Sequence, residues 1–223
     1  MSQLMFSFQC FLYCLSIVFN GWQLEEPNIK IQETLIMPDD TIIVATDIGI
    51  YRIEQEDGQF VYFIENVLDL ANSFQQPQLV YALSTNYYES FVMRSEDGGI
   101  SWKKIPLEKR AKCLFVDPYS PNILYVGFDD KPFLLKSTDG GYTWTDSANG
   151  IPLCAPDSDI QYTTDIYQIT GSSHYLYSIF QASYDGLAVS TEQGESWELA
   201  TLPEGVKSLE DKILQVPNPD TPK

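Results

Sequence analysis

Three stretches of this chain align with one another without gaps, and self-similarity at this period means stacked copies of one small unit. They are Arg94-Ser95-Glu96-Asp97-Gly98-Gly99-Ile100-Ser101-Trp102, Lys136-Ser137-Thr138-Asp139-Gly140-Gly141-Tyr142-Thr143-Trp144 and Val189-Ser190-Thr191-Glu192-Gln193-Gly194-Glu195-Ser196-Trp197. The shared pattern is Ser-x-Asp-x-Gly-x-Ser/Thr-Trp, with Glu192 standing for Asp in the third copy. A worn copy is read upstream at Arg52 to Phe60, where Asp57-Gly58 survives. The acidic positions 57, 97, 139 and 192 lie 40, 42 and 53 residues apart. That spacing holds four short strands per repeat.

The residue types suit a tight hairpin between two strands. An Asp carboxylate accepts hydrogen bonds from turn amides that the ladder leaves unpaired, and Ser or Thr hydroxyls do so more weakly. Gly supplies a positive φ at low steric cost. Trp gives a small sheet a large apolar body to pack on. Ser95, Asp97, Gly99, Trp102, Ser137, Asp139, Gly141, Trp144, Ser190, Glu192, Gly194 and Trp197 are therefore assigned structural roles, and no residue is assigned a catalytic one.

Upstream of each turn lie short β-rich runs separated by Pro, Gly, Asn and Asp, for example Lys112 to Pro118, Asn122 to Gly127 and Phe133 to Ser137. The prediction is an all-β chain, a β-propeller of four-stranded antiparallel blades at about 29–66, 67–106, 111–147 and 160–201. Asp211 to Pro222 lines up with Ala111 to Asn122, so a partial fifth blade is read at 206–223. Four blades plus an opening strand imply either an incomplete ring or a last strand that closes a four-bladed one. The incomplete ring is the preferred reading. Open strand edges would invite association.

This pattern resembles the Asp-box, or BNR, repeat, and the resemblance runs from about residue 29 to the end. It implies a propeller whose repeat turns lie away from the ligand face. The run from Val116 to Gly127 resembles the blade consensus of sortilin/Vps10-type receptors and of the photosystem II assembly-factor family, both of which bind polypeptides. Sialidases share the repeat, but their trio of carboxylate-binding arginines is not matched: the chain has only Arg52, Arg94 and Arg110, and Arg94 directly precedes a turn. Thr46-Asp47-Ile48-Gly49-Ile50-Tyr51-Arg52 is similar to a xyloglucanase-type segment in which the Asp is catalytic. Glycoside hydrolysis needs two facing carboxylates, and no partner for Asp47 is identifiable.

Charge removes other classes. The net charge is −18, which repels nucleic acid and anionic lipid surfaces. Met5 to Phe19 is apolar and uncharged, and residues 1–21 read as a signal peptide or an N-terminal hydrophobic segment. A cleaved signal, an uncleaved anchor and a misplaced start codon are the alternatives. Membrane attachment is expected only through that segment. Cys10 and Cys14 would leave with a signal, and Cys113 and Cys154 would form either one disulfide or two buried thiols. With one histidine and no Cys-x-x-Cys, no metal or cofactor is assigned. Asp129, Asp130, Asp157 and Asp159 are weighed as calcium ligands and set aside.

In a propeller the loops between second and third strands share the ligand face with the inter-blade loops. Candidate ligand residues are Asp47, Tyr87, Tyr88, Asp129, Asp130 and Tyr184. The expected function is an exported scaffold that binds protein or glycan there without catalysis. The alternative is a piece of a sialidase-like or xyloglucanase-like glycoside hydrolase.

Overall fold

Period-two alternation in a strand buried on both faces gives two apolar sides, and this is how the second strands are built. In the computed structural model, Leu79, Tyr81 and Leu83 point to one side of their sheet and Val80 and Ala82 to the other, all of them buried. The structure describes residues 29–54, 57–64, 66–129, 133–151, 165–171, 176–181 and 185–200. The readings placed on residues 1–21 and 206–223, and on Asp130, Cys154, Asp157, Asp159 and Tyr184, lie outside these.

Four sheets follow one another along the chain, each an antiparallel meander of four strands. Blade 1 is β1 (Ile31–Ile36), β2 (Ile42–Thr46), β3 (Gly49–Glu54) and β4 (Asp57–Phe63). Blade 2 is β5 (Val67–Ser73), β6 (Gln76–Thr85), β7 (Ser90–Ser95) and β8 (Lys103–Leu107). Blade 3 is β9 (Ala111–Val116), β10 (Leu124–Phe128), β11 (Leu134–Ser137) and β12 (Thr145–Asp146). Blade 4 is β13 (Asp165–Gly171), β14 (Leu176–Gln181), β15 (Asp185–Ser190) and β16 (Glu198–Leu199). The all-β fold with about four blades is as the repeat predicts.

Each gap between blades is filled by its own apolar cluster. Ile43, Ala45 and Ile50 of blade 1 meet Val80, Ala82 and Met93 of blade 2. Tyr81, Leu83 and Val92 then meet Leu114, Leu124, Val126 and Phe128 of blade 3. Tyr125 and Leu134 meet Ile166, Ala188 and Trp197 of blade 4. Each such fully buried side chain contributes roughly 1.5–3 kcal/mol. Blades 3 and 4 approach closely at Gly127, where an added Cβ would lie 2.6 Å from Ile166 Cγ2.

The worn upstream copy is corrected. Asp57 and Gly58 already belong to β4 and pair with Glu54 and Ile53. Asp57 and Gly58 are therefore strand residues and not part of a repeat turn. The Ser found two residues before the acid in the other copies is absent from the sequence there, since position 55 is Gln55.

Candidate functional site

The two ends of the blades are chemically distinct. At one end lie the turns joining first to second and third to fourth strands. In blade 3, the Ser137 hydroxyl accepts from the amide of Gly141 at 2.8 Å. Asp139 accepts from the amides of Tyr142 and Thr143 at 3.0 and 2.9 Å and from the Thr143 hydroxyl at 2.6 Å. These donors hold its carboxyl at about 2. Blade 2 repeats the arrangement. Ser95 accepts from Gly99, and Asp97 accepts from the amide and hydroxyl of Ser101. Despite some burial, those bonds hold Asp97 below the usual range. A carboxylate so satisfied stays ionised and is a poor proton donor. Gly98, Gly99, Gly140 and Gly141 all have positive φ, between 70° and 93°.

The tryptophans differ in their indole N–H. Trp102 donates to Gly99 O at 3.1 Å within its own turn. Trp197 donates to Ser147 O of the preceding blade at 2.7 Å. The indole N–H of Trp144 is buried and finds no acceptor among the described residues.

At the opposite end lie the turns between second and third strands. The Asn86 side chain accepts from the amides of Tyr88 and Glu89, each at 2.8 Å, and fixes that hairpin. Tyr87 and Tyr88 stand out from it, 81% and 84% exposed, their rings edge to face at 5.0 Å. Asp47 accepts from the Lys30 amide at 3.0 Å and so ties the start of the chain's first blade to its β2–β3 turn. Asp129 pairs with Lys112 at 3.2 Å. Topology places Asp47, Tyr87, Tyr88 and Asp129 at this same end. Asp47 and Asp129 are each occupied by a neighbour, and only the tyrosines project freely into solvent. Among the described residues no cluster of His, Cys, Asp and Glu could hold a metal ion.

A third constellation escapes sequence reasoning. The first strands β1, β5, β9 and β13 stand side by side and border a cavity of about 470 Å³. Glu33 on β1 accepts from the Leu70 amide, and Asp69 on β5 accepts from the Leu114 amide, both at 2.8 Å. Asp69 lies beside the Glu33 carboxyl. Burial first, then the bond to Glu33 and its charge, raise the Asp69 carboxyl well above the usual range. Cys113 on β9 occupies the corresponding place as a free, buried thiol that donates to Ile166 O at 3.7 Å. Burial pushes that thiol far up. A bridge to Cys154 would involve a residue outside those described. The signal available in the sequence was an acid or thiol recurring at one position of successive first strands. Recognising it needs the register shifts at Ile31/Glu33 and Val67/Asp69.

These features define a class: an all-β, blade-like fold of the propeller type. No family model matches the sequence, and no curated protein matches it either. Among solved structures, the chain is similar to a GH74 xyloglucanase from Xanthomonas campestris, with a TM-score of 0.62 and 17% identity. That match covers 78% of this chain and 31% of the xyloglucanase. It is also similar to YCF48 from Cyanidioschyzon merolae, with a TM-score of 0.41 and 19% identity over 60% of this chain and 36% of that one. A third likeness is to the extracellular domain of a putative one-component system of B. thetaiotaomicron, with a TM-score of 0.45 and 9% identity over 78% of this chain and 28% of that one. The chain thus spans about a third of each of these structures. No helix among the described residues is long and apolar enough to cross a membrane.

Proposed function

We propose that this chain is a section of an exported Asp-box propeller that holds a glycan or polypeptide on its loop end and does no chemistry of its own. The observation that carries this reading is the Tyr87–Tyr88 pair, exposed on a hairpin whose backbone is fixed by the Asn86 side chain. Rigid aromatic faces stack on sugar rings or apolar side chains with little loss of conformational freedom. The repeat acids support the non-catalytic half of the reading, because Asp97 and Asp139 are consumed by their own turns. The signal-like start supports export.

A second reading, a piece of a glycoside hydrolase, is favoured by the likeness to the xyloglucanase. Of the comparisons above, it alone exceeds a TM-score of 0.5, and in this respect it speaks for the hydrolase more than for the scaffold. Against it stands Asp47, whose carboxylate is bonded to the Lys30 amide.

Calorimetric titration with xyloglucan oligosaccharides, and turnover of fluorogenic β-glucosides and sialosides, separate the two. Binding lost in Tyr87→Ala/Tyr88→Ala, with no turnover, is the expected result. Turnover abolished by Asp47→Asn would establish the hydrolase instead.

A further inference from the structure

Apolar side chains also crowd the end of the blades opposite the loop face. Phe74, in the β5–β6 turn, is 77% exposed, and Tyr119, in the β9–β10 turn, is 52% exposed. Their rings meet edge to face at 6.4 Å across the boundary between blades 2 and 3. Ile36 and Ile100 add exposed aliphatic surface at the same end. The pair is held in place by the backbone. The Phe74 amide and the Ser73 hydroxyl both donate to Pro118 O, at 2.9 and 2.7 Å. The fold uses neither ring for its core. Large exposed apolar groups gathered at one end of the blades mark a contact surface.

The charge at this end has a consistent orientation. Arg52, Arg94 and Lys136 are ion-paired with Glu54, Glu96 and Glu195. The cationic side chains are only 14%, 13% and 10% exposed, and their carboxylate partners 59%, 71% and 73%. Cations therefore point into the blade boundaries and acids point out. Asp139 adds a charge kept ionised to about pH 2. Lys103 is turned onto the Tyr142 ring, 4.5 Å from its centroid.

We infer that the end of the blades carrying the Ser-x-Asp-x-Gly turns is a docking surface for a basic polypeptide segment that also bears apolar side chains. Charge complementarity selects that partner. A second copy of the chain would bring acid against acid. An anionic membrane or a nucleic acid would be repelled in the same way. The inference is independent of the loop-end proposal, because the two sets of residues lie at opposite ends of the strands.

The test is fluorescence anisotropy with a labelled peptide of alternating Lys and Phe, against peptides with Glu for Lys and with Ser for Phe. The Lys/Phe peptide should bind, and both controls should bind far more weakly. Phe74→Ser/Tyr119→Ser should weaken binding by at least about tenfold. Glu96→Gln/Glu195→Gln should weaken it less and flatten its salt dependence. Tyr87→Ala/Tyr88→Ala should leave it unchanged. A benzophenone version of the Lys/Phe peptide should label the unmutated protein near Phe74 and Tyr119, which checks the site without any variant. The inference is overturned if the Lys/Phe peptide fails to bind, if the Lys/Ser peptide binds as well, or if the label goes to the Tyr87 hairpin.

Discussion

The repeat turns of blades 3 and 4 start from the same pattern and are fastened by different means. In blade 3 the carboxylate of Asp139 gathers two amides and two hydroxyls, and two glycines take the left-handed positions. In blade 4 the side chain of the longer Glu192 accepts, among the described residues, only from the Ser196 hydroxyl, at 2.8 Å. The first left-handed position there is Gln193, at φ 52°. What the turn loses locally is replaced from the preceding blade. Trp197 is almost fully buried and donates both its indole N–H to Ser147 O and its backbone N–H to Asn149 O. Ser147 in turn donates to Gly194 O at 2.6 Å. The linker passes so close that a Cβ on Gly150 would lie 2.1 Å from Trp197 O. Blade 3 holds its turn from within, and blade 4 has its turn held by its neighbour.

The contrast predicts unequal tryptophans. Trp197→Ala should cost about 3–5 kcal/mol in urea unfolding, and Trp144→Ala, at a partly buried site on the core's margin, less. Equal losses would erase the distinction. Trp197→Phe should cost about 1–3 kcal/mol more than Trp144→Phe, because only the former strands an acceptor, Ser147 O. Restoring the blade 3 residues in blade 4, as Glu192→Asp/Gln193→Gly, should add about 1 kcal/mol. No gain would mean that the linker alone sets this turn.

The smallest effects are in the pH dependence. Asp139 has a lowered folded pKa, so its contribution is present above the ordinary 3.8 and is lost as pH falls towards about 2. Asp69 has a raised one, so its contribution is present at acid pH and is lost as pH rises above 3.8. Melting curves across this range should show Asp139→Asn converging on the parent chain as pH falls. Asp69→Asn should gain on the parent as pH rises. Parallel curves for either variant would remove its carboxyl from the account.

The fold was legible because two copies of the turn are complete and their spacing fits four strands. Strand limits came close, as with Phe133 to Ser137 against the observed Leu134–Ser137. The worn turn in blade 1 was misread, because Asp57-Gly58 without a preceding Ser or a following Trp is an ordinary dipeptide. Position at one end of the blades could be read for Asp47, Tyr87 and Asp129, since strand order alone decides it. The Glu33–Asp69 contact could not, because it joins two sheets through irregular registers. Nor could the exposed Phe74 and Tyr119, which sit in turns whose partner lies 45 residues away, from Ser73 to Pro118.

Three side-chain grips between blades run forward along the chain. Arg52 donates to Gly98 O, Tyr81 to Pro121 O and Tyr125 to Gln193 O. In each of these three the donor belongs to the earlier blade, so it is made before the carbonyl that it holds.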